Sequence, residues 1–329
     1  MTKRTAKTDT TAAPKADVYE RVTTIFVEAL EKAGTNPVEW PWVRAARAGV
    51  PINVTSKKGY RGINRLLLGA MVADGASRFW GTFNQWRDKG GIVRKGEKGT
   101  LVVYWGDLYV DENGDRCAAN DPGARKILYP KPSYLFHADQ QDGWTAPAEG
   151  TKEAEELAAA NGAATLEDLE AFVSATGAKI IERGDKAYFQ PATDLVVMPT
   201  RDRFRDTQDA TATEHFYKVL FHELVHWTGA ESRLKRDFSG RFGSEAYAFE
   251  ELVAEIGAAF LAADMGISPE PDARNVAYVA GWLKVLKGDK KAVFTASTAS
   301  AKAADFLKAF QPIAQEDDDQ EEEPAALAA

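Results

Sequence analysis

At 329 residues, with 44% hydrophobic and 27% charged side chains, the chain has ordinary globular composition and enough length for two domains that each bury a core. A single cysteine, Cys117, excludes an internal disulfide framework, and no uninterrupted apolar run reaches the roughly 18 residues of a membrane-spanning helix. The net charge of −8 is polarised: residues 1–110 hold 18 Lys and Arg against 10 Asp and Glu, leaving 23 against 39 for the rest, so a basic binding region precedes an acidic remainder.

Residues 1–15 have too few apolar side chains to offset ordering entropy and are expected to form a disordered basic tail. They contain no apolar secretory core, which points to a cytoplasmic protein. A helix is predicted over 16–34, with Val18, Val22, Ile25, Phe26, Ala29 and Leu30 on one face. Residues 51–98 then carry ten Lys and Arg but three Asp and Glu, interleaved with Tyr60, Phe79, Trp80, Phe83 and Trp86 and preceded by Trp40 and Trp42. Cations for phosphates and aromatic faces for bases are what single-stranded nucleic acid requires. The same pattern also fits a core of aromatics beneath a solvated cationic face. The stretch "GGIVRKGEKGT" (90–100) gathers glycines and cations around a turn, but it lacks the GK[ST] of a P-loop and matches neither RRM nor zinc-finger signatures.

"LVVYWGDLYV" (101–110) and "PSYLFHADQ" (132–140) are predicted strands joined by a turn-rich hairpin loop over 111–126. Around 141–163 the sequence is small and polar, which suggests a tether or light contact between a front domain, 16–145, and a back domain, 164–312, with 146–163 as linker. The back domain should open with a helix over 165–177, continue with short strands over 179–184, 187–190 and 194–199, and close with three helices over 210–228, 245–265 and 273–287. The acidic residues 313–329 complete the chain as a second disordered tail. The expected fold class is α+β, in two domains.

"FHELVHWTG" (221–229) carries HExxH on a predicted helix. Residues four apart lie one above the other, so His222 and His226 can grip one tetrahedral zinc ion while Glu223, about 100° round the helix, is free to act as general base. Gly229 should end the helix in a left-handed conformation. The metzincin third histidine would fall at Ser232, and His215, seven residues before His222, lies about 10 Å up the helix. The third ligand must therefore come from another element. In "YAFEELVAEIGAAFLAA" (247–263), Glu251 and Glu255 share an alanine-rich face that looks buried and needs a charged partner. One would ligate; the other could accept a histidine Nδ1–H and fix its orientation. Glu250 points elsewhere in this reading. The strand region "YFQPATDLVVMPTRDRF" (188–204) fits either a peptide-binding edge or a plain core strand.

Taken together, "GVPINVTSKKGYRGINRLLL", "FWGTFNQWRDKGGIVRKGEKGT", "YFQPATDLVVMP", "LFHELVHWTGAESRLKR" and "YAFEELVAEIGAAFL" resemble the ArdC-type antirestriction proteins of mobile elements. The resemblance covers nearly all of the chain between its tails. It implies a front domain of mixed α/β structure that binds single-stranded DNA, a back domain with a zincin-like metallopeptidase fold, and protection of incoming DNA from host restriction. Tyr60, Asn64, Trp80, Gln85, Arg94, Lys95 and Lys98 stand at family-motif positions as DNA contacts, and Gly62, Gly90, Gly91 and Gly96 as backbone requirements. An E-x-x-A pattern at Glu251 favours Glu251 over Glu255 as metal ligand. Where the family reads V-F-N-x-x-Q, this chain has "LFHADQ", with His137 in the place of asparagine. The expected function is a DNA-bound zinc metallopeptidase with an unidentified protein substrate. The rival is a non-catalytic protein that coats single-stranded DNA and uses zinc structurally or as an interaction module. A nuclease would need clustered acidic magnesium ligands, which the sequence lacks.

Overall fold

The computed structural model describes residues 17–72, 76–147, 164–241, 243–270 and 273–311. The expected tails and most of the expected linker lie outside these described residues. In the front half, Asp17 opens helix α1 (Val18–Ala33) by accepting the Glu20 N–H at 2.8 Å, and the helix buries Val22, Phe26 and Leu30. Three short helices follow that the hydrophobic pattern did not announce: α2 (Pro41–Arg47), α3 (Gly62–Gly69) and α4 (Phe83–Asp88). Pro41 starts α2 at a position where its missing N–H costs nothing.

The front sheet has the order β1-β2-β5-β4, formed by β1 (Ile52–Asn53), β2 (Phe79–Gly81), β5 (Arg125–His137) and β4 (Thr100–Val110). A separate pair joins β3 (Ile92–Val93) to β6 (Gln141–Asp142). The expected hairpin is present, in register from Thr100 opposite Leu135 to Val110 opposite Arg125. Strand β5 starts earlier than expected and takes in both Pro130 and Pro132. Both lie where β5 is paired with β4 alone, so a missing N–H can face the open side.

The back half contains α5 (Leu166–Ala175) and a three-stranded sheet in the order β7-β9-β8. Strand β9 (Leu195–Met198) lies parallel to β7 (Lys179–Glu182) and antiparallel to β8 (Tyr188–Gln190), which is therefore an edge. Helix α6 (Ala212–Thr228) begins at a capping box between Thr211 and Glu214, and α7 (Glu245–Asp264) is capped by Ser244. The expected helix at 273–287 divides into a 3-10 turn, Ala273–Tyr278, and α8 (Val279–Gly288). Helix α9 (Ala292–Lys308) was not anticipated. Besides Val293, Phe294 and Leu307, its buried face is made of Ala296, Ser297, Ser300, Ala303 and Ala304, residues too small to make a continuous apolar stripe. Their size lets it approach α7 closely enough for Ser300 Oγ to donate to the Val253 carbonyl at 2.8 Å.

The tether expected between the halves is not what the packing shows. One continuous cluster of buried apolar residues joins Val22, Leu30, Trp40, Trp42 and Leu66 of the front half to Leu261, Trp282 and Leu307 of the back half. Trp282 stands edge-on to Trp40 and Trp42, with ring centroids 5.1 and 5.2 Å away. Arg65 is buried across the same seam. Its guanidinium donates to the Phe260 carbonyl at 2.8 Å, pairs with Asp264 at 2.8 Å and lies over the Phe260 ring. Composition could not reveal that α7, buried along most of its length, takes partners from both halves.

Candidate metal centre

Helix α6 presents His222 and His226 one turn apart toward α7, where Glu251 meets them. His222 Nε2 lies 3.2 Å from His226 Nε2, and Glu251 oxygens lie 3.5 Å from the first and 3.7 Å from the second. All three side chains are buried, and their donor atoms converge within 4.8 Å of one another. Each imidazole has its remaining nitrogen against a carboxylate: His222 Nδ1 is 3.0 Å from Glu255, and His226 Nδ1 is 3.0 Å from Glu250. Two imidazoles with both Nε2 atoms free to converge, each backed by a carboxylate, are the donor set a tetrahedral divalent ion requires. His215 is elsewhere, beside Thr207 and Glu270, as the helix rise predicts.

Glu255 and Glu250 are themselves held. Lys218 pairs with Glu255 at 3.0 Å inside the core, and Asn275 donates to its other oxygen. Arg236 reaches Glu250 through Nε at 3.0 Å and Nη2 at 2.9 Å, while its other donors bind Thr228 and the Val225 carbonyl. Burial disfavours charge on Glu255, but Lys218 and His222 outweigh it and hold the carboxyl down to about 2. Burial likewise works against the His222 imidazolium, yet Glu251 and Glu255 push it up to about 10. Burial pushes the Glu223 carboxyl up, against the opposing pull of the two histidines and the nearby Phe189 backbone of β8. His222, Glu223, His226 and Glu251 line an open cleft of about 490 Å³, whose opposite wall is Tyr188 and Phe189 of the edge strand.

Gly229 does not end α6 in the left-handed region. Its φ is −78°, and what it provides is space: a Cβ there would meet Phe238 at 2.5 Å and Arg236 at 2.8 Å. The small residue lets the Arg236 guanidinium fold back over the helix end to reach Glu250.

The front-half residues expected to touch DNA fall into two groups. Trp80 is 2% exposed, packed with Leu68, Val102 and Leu135, so it belongs to the core and cannot stack on a base. Its neighbours Phe79 and Trp86 are buried too, which leaves Phe83 as the exposed aromatic of that run. Asn64 holds strand β4 by exchanging two 2.8 Å hydrogen bonds with Val103. Gln85 completes the capping box of α4, and the half-buried Tyr60 accepts from Asn53 at 2.8 Å. Arg94 straps the 94–97 turn to β6 through Glu97 and Asp142. Lys95 and Lys98 alone of the seven are exposed cations without a carboxylate partner among the described residues. Gly62, Gly90 and Gly96 adopt positive φ, and a Cβ on Gly91 would meet Gln141 at 2.6 Å, so the four glycines are backbone requirements as expected.

Residues 16–136 match the family model described as the N-terminal domain of anti-restriction factor ArdC, and residues 167–299 match a zincin-like metallopeptidase model. The crystal structure of the metal-free antirestriction protein ArdC from plasmid R388 superposes with a TM-score of 0.71 at 35% identity, covering 90% of this chain and 98% of that one. The chain belongs to the ArdC family of antirestriction proteins. The Mn(II)-bound form of the R388 protein matches with a TM-score of 0.69. An uncharacterized Sinorhizobium fredii protein, y4eC, is 39% identical over 94% of this chain and 97% of its own length. Two Escherichia coli DNA primases named TraC are 35% and 34% identical, but the ArdC-like region spans only 20% and 28% of them.

His137 has a structural place in the front half. Its ring packs on Trp80 at 4.9 Å, its Nε2 meets the Ser77 carbonyl, and its Nδ1 accepts from the Asp139 N–H. The residue that sequence reasoning set aside is Glu250. Helical phase turns it away from Glu251, but His226 lies one turn beyond His222 along α6, and Glu250 faces that second ring. The doublet "EE" at 250–251 followed by Glu255 was the available signal: one carboxylate could ligate and two could each hold a ring nitrogen.

Proposed function

We propose that this ArdC-family protein is a zinc-dependent metallopeptidase joined to a single-stranded DNA-binding half, and that it protects incoming mobile-element DNA from host restriction in the cytoplasm. The observation that carries the reading is the convergence of His222, His226 and Glu251 inside an open cleft that also holds Glu223 and an edge strand. Three protein donors leave one tetrahedral position for water or substrate, whereas structural zinc sites close all four. His222, His226 and Glu251 would hold the ion, and Glu255 and Glu250 would fix the two rings. A bound zinc supplies Lewis acidity, lowering the pKa of its water toward 7. Glu223, a carboxyl raised by burial, would accept a proton from water in the cleft and return it to a leaving amine. Strand β8, paired on one side only, offers backbone groups to an extended peptide. The family's front domain and the exposed Lys95 and Lys98 support the DNA-binding half of the reading.

Metal analysis with a protease assay, run with and without single-stranded DNA, tests it on wild type and Glu223→Gln. The variant should keep one zinc per chain and bind single-stranded DNA within about threefold of wild type, a change under about 0.7 kcal/mol. It should lose both cleavage and protection of transferred DNA. Full protection by Glu223→Gln would refute the enzymatic reading and favour simple coating.

A further inference from the structure

Away from the metal cleft, a cavity of about 500 Å³ opens where the two halves meet. That volume lies within the roughly 300–1,000 Å³ typical of small-ligand sites. Three aromatic rings form one side: Tyr19 of α1, Trp105 of β4 and Phe294 of α9. Their centroids lie 4.8 Å (Tyr19–Phe294), 6.3 Å (Trp105–Phe294) and 6.4 Å (Tyr19–Trp105) apart. Lys291, Lys302 and Arg236 supply the charge, and no lining residue is acidic. This is unexpected in the half of the chain that carries the net negative charge. Of the acidic side chains near α1, Asp17 is engaged by Lys290 and Glu31 by Lys287, while Glu20 and Glu28 are exposed and outside the cavity lining. Lys302 is exposed with no carboxylate partner among the described residues, and Lys291 Nζ sits 5.3 Å from the Tyr19 ring centroid. Arg236 has its guanidinium committed to Glu250, so it forms a wall shared with the metal centre rather than a free donor.

We propose that this junction cavity holds a nucleotide of single-stranded DNA, its base against Trp105 and Tyr19 and its phosphate against Lys291 and Lys302. The inference rests on the single-stranded DNA reading above and relocates the stacking contact that the burial of Trp80 removes from the front face. A ring with one open face and a neighbouring cation is the arrangement that binds bases without sequence preference. Trp105, 40% exposed, is the tryptophan among the described residues that can present such a face. The acidic back half thereby contributes a cationic contact of its own.

The experiment titrates the full chain with a 20-nucleotide oligo-dT, following tryptophan fluorescence and the salt dependence of binding. Wild type should show quenching, and Trp105→Phe should remove most of it while still binding. Trp105→Ala should weaken binding by roughly 5- to 100-fold. Lys302→Ala should lower the slope of log affinity against log salt by about 0.7, the value for one phosphate on a single strand. Failure of wild type to bind oligo-dT would refute the single-stranded DNA reading itself. Normal wild-type binding with unchanged affinity and slope in Trp105→Ala and Lys302→Ala, both shown folded by melting, would overturn the cavity proposal alone. Quenching that survives Trp105→Phe would place the bases elsewhere and overturn it too. Displacement of oligo-dT by poly-glutamate of equal charge would also overturn it, in favour of an acidic peptide.

Discussion

Replacing Glu250 by glutamine tests whether the metal centre depends on a residue that touches no metal. Its carboxylate accepts from His226 Nδ1 at 3.0 Å and from Arg236 Nε and Nη2 at 3.0 and 2.9 Å, and the side chain is 8% exposed. Glutamine keeps the shape and one acceptor oxygen but places an NH₂ against either Arg236 or the His226 N–H, where two donors face each other. Loss of one orienting carboxylate of this kind typically costs 10- to 100-fold in metal affinity, about 1.4–2.7 kcal/mol. The buried Arg236 also loses a charge-assisted partner, which should cost about 1.5–3 kcal/mol of stability. Chelator competition reads the first quantity and thermal melting of the metal-free protein the second. Wild-type zinc affinity in a folded Glu250→Gln would refute the assignment of Glu250 as the orienting partner of His226. Glu251→Gln, by contrast, should abolish stoichiometric metal.

Other consequences follow from the same geometry. In the metal-free protein, the His222 contribution to stability is complete below its ordinary pKa of 6.5 and is lost as pH rises through about 10, because the folded value is the raised one. Metal ligation needs the neutral ring, so zinc affinity should rise by up to tenfold per pH unit between about pH 6.5 and 9; a flat chelator-competition profile would contradict this. The isolated fragment 16–145 should fail to melt cooperatively, since Trp40, Trp42 and Arg65 lose their partners on α7 and α8; a sharp transition in circular dichroism would restore the tethered picture. Trp80→Ala should cost about 3–5 kcal/mol of stability as a core truncation. Lys95→Ala and Lys98→Ala should leave melting unchanged and flatten the salt slope of DNA binding by about 0.7 each.

The cluster of His222, His226 and Glu251 was legible in the sequence because its information is local. Four residues make one helical turn, so His222 and His226 declare themselves by spacing alone, and the buried alanine face around Glu251 and Glu255 declares a second helix in need of charge. The β4–β5 hairpin, the three back-half strands and the longer helices α1, α6 and α7 were legible for the same reason: period and turn chemistry act over a few residues. What tertiary structure alone decided was which neighbours each surface meets. An aromatic run among cations has the same composition whether its rings face solvent or a sheet, and only the packing of Trp80 against Leu68 and Val102 makes it core. Helix α9, its apolar residues interrupted by small ones, has its buried face defined by packing on α7, α3 and α6. Glu250 finds His226 because two helices cross at one angle, a relation between residues 24 positions apart that no spacing rule encodes. The seam between the halves is decided in the same way. The hydrophobic effect favours burying the area of α7 without regard to chain order, so the surfaces that cover it come from both ends of the chain.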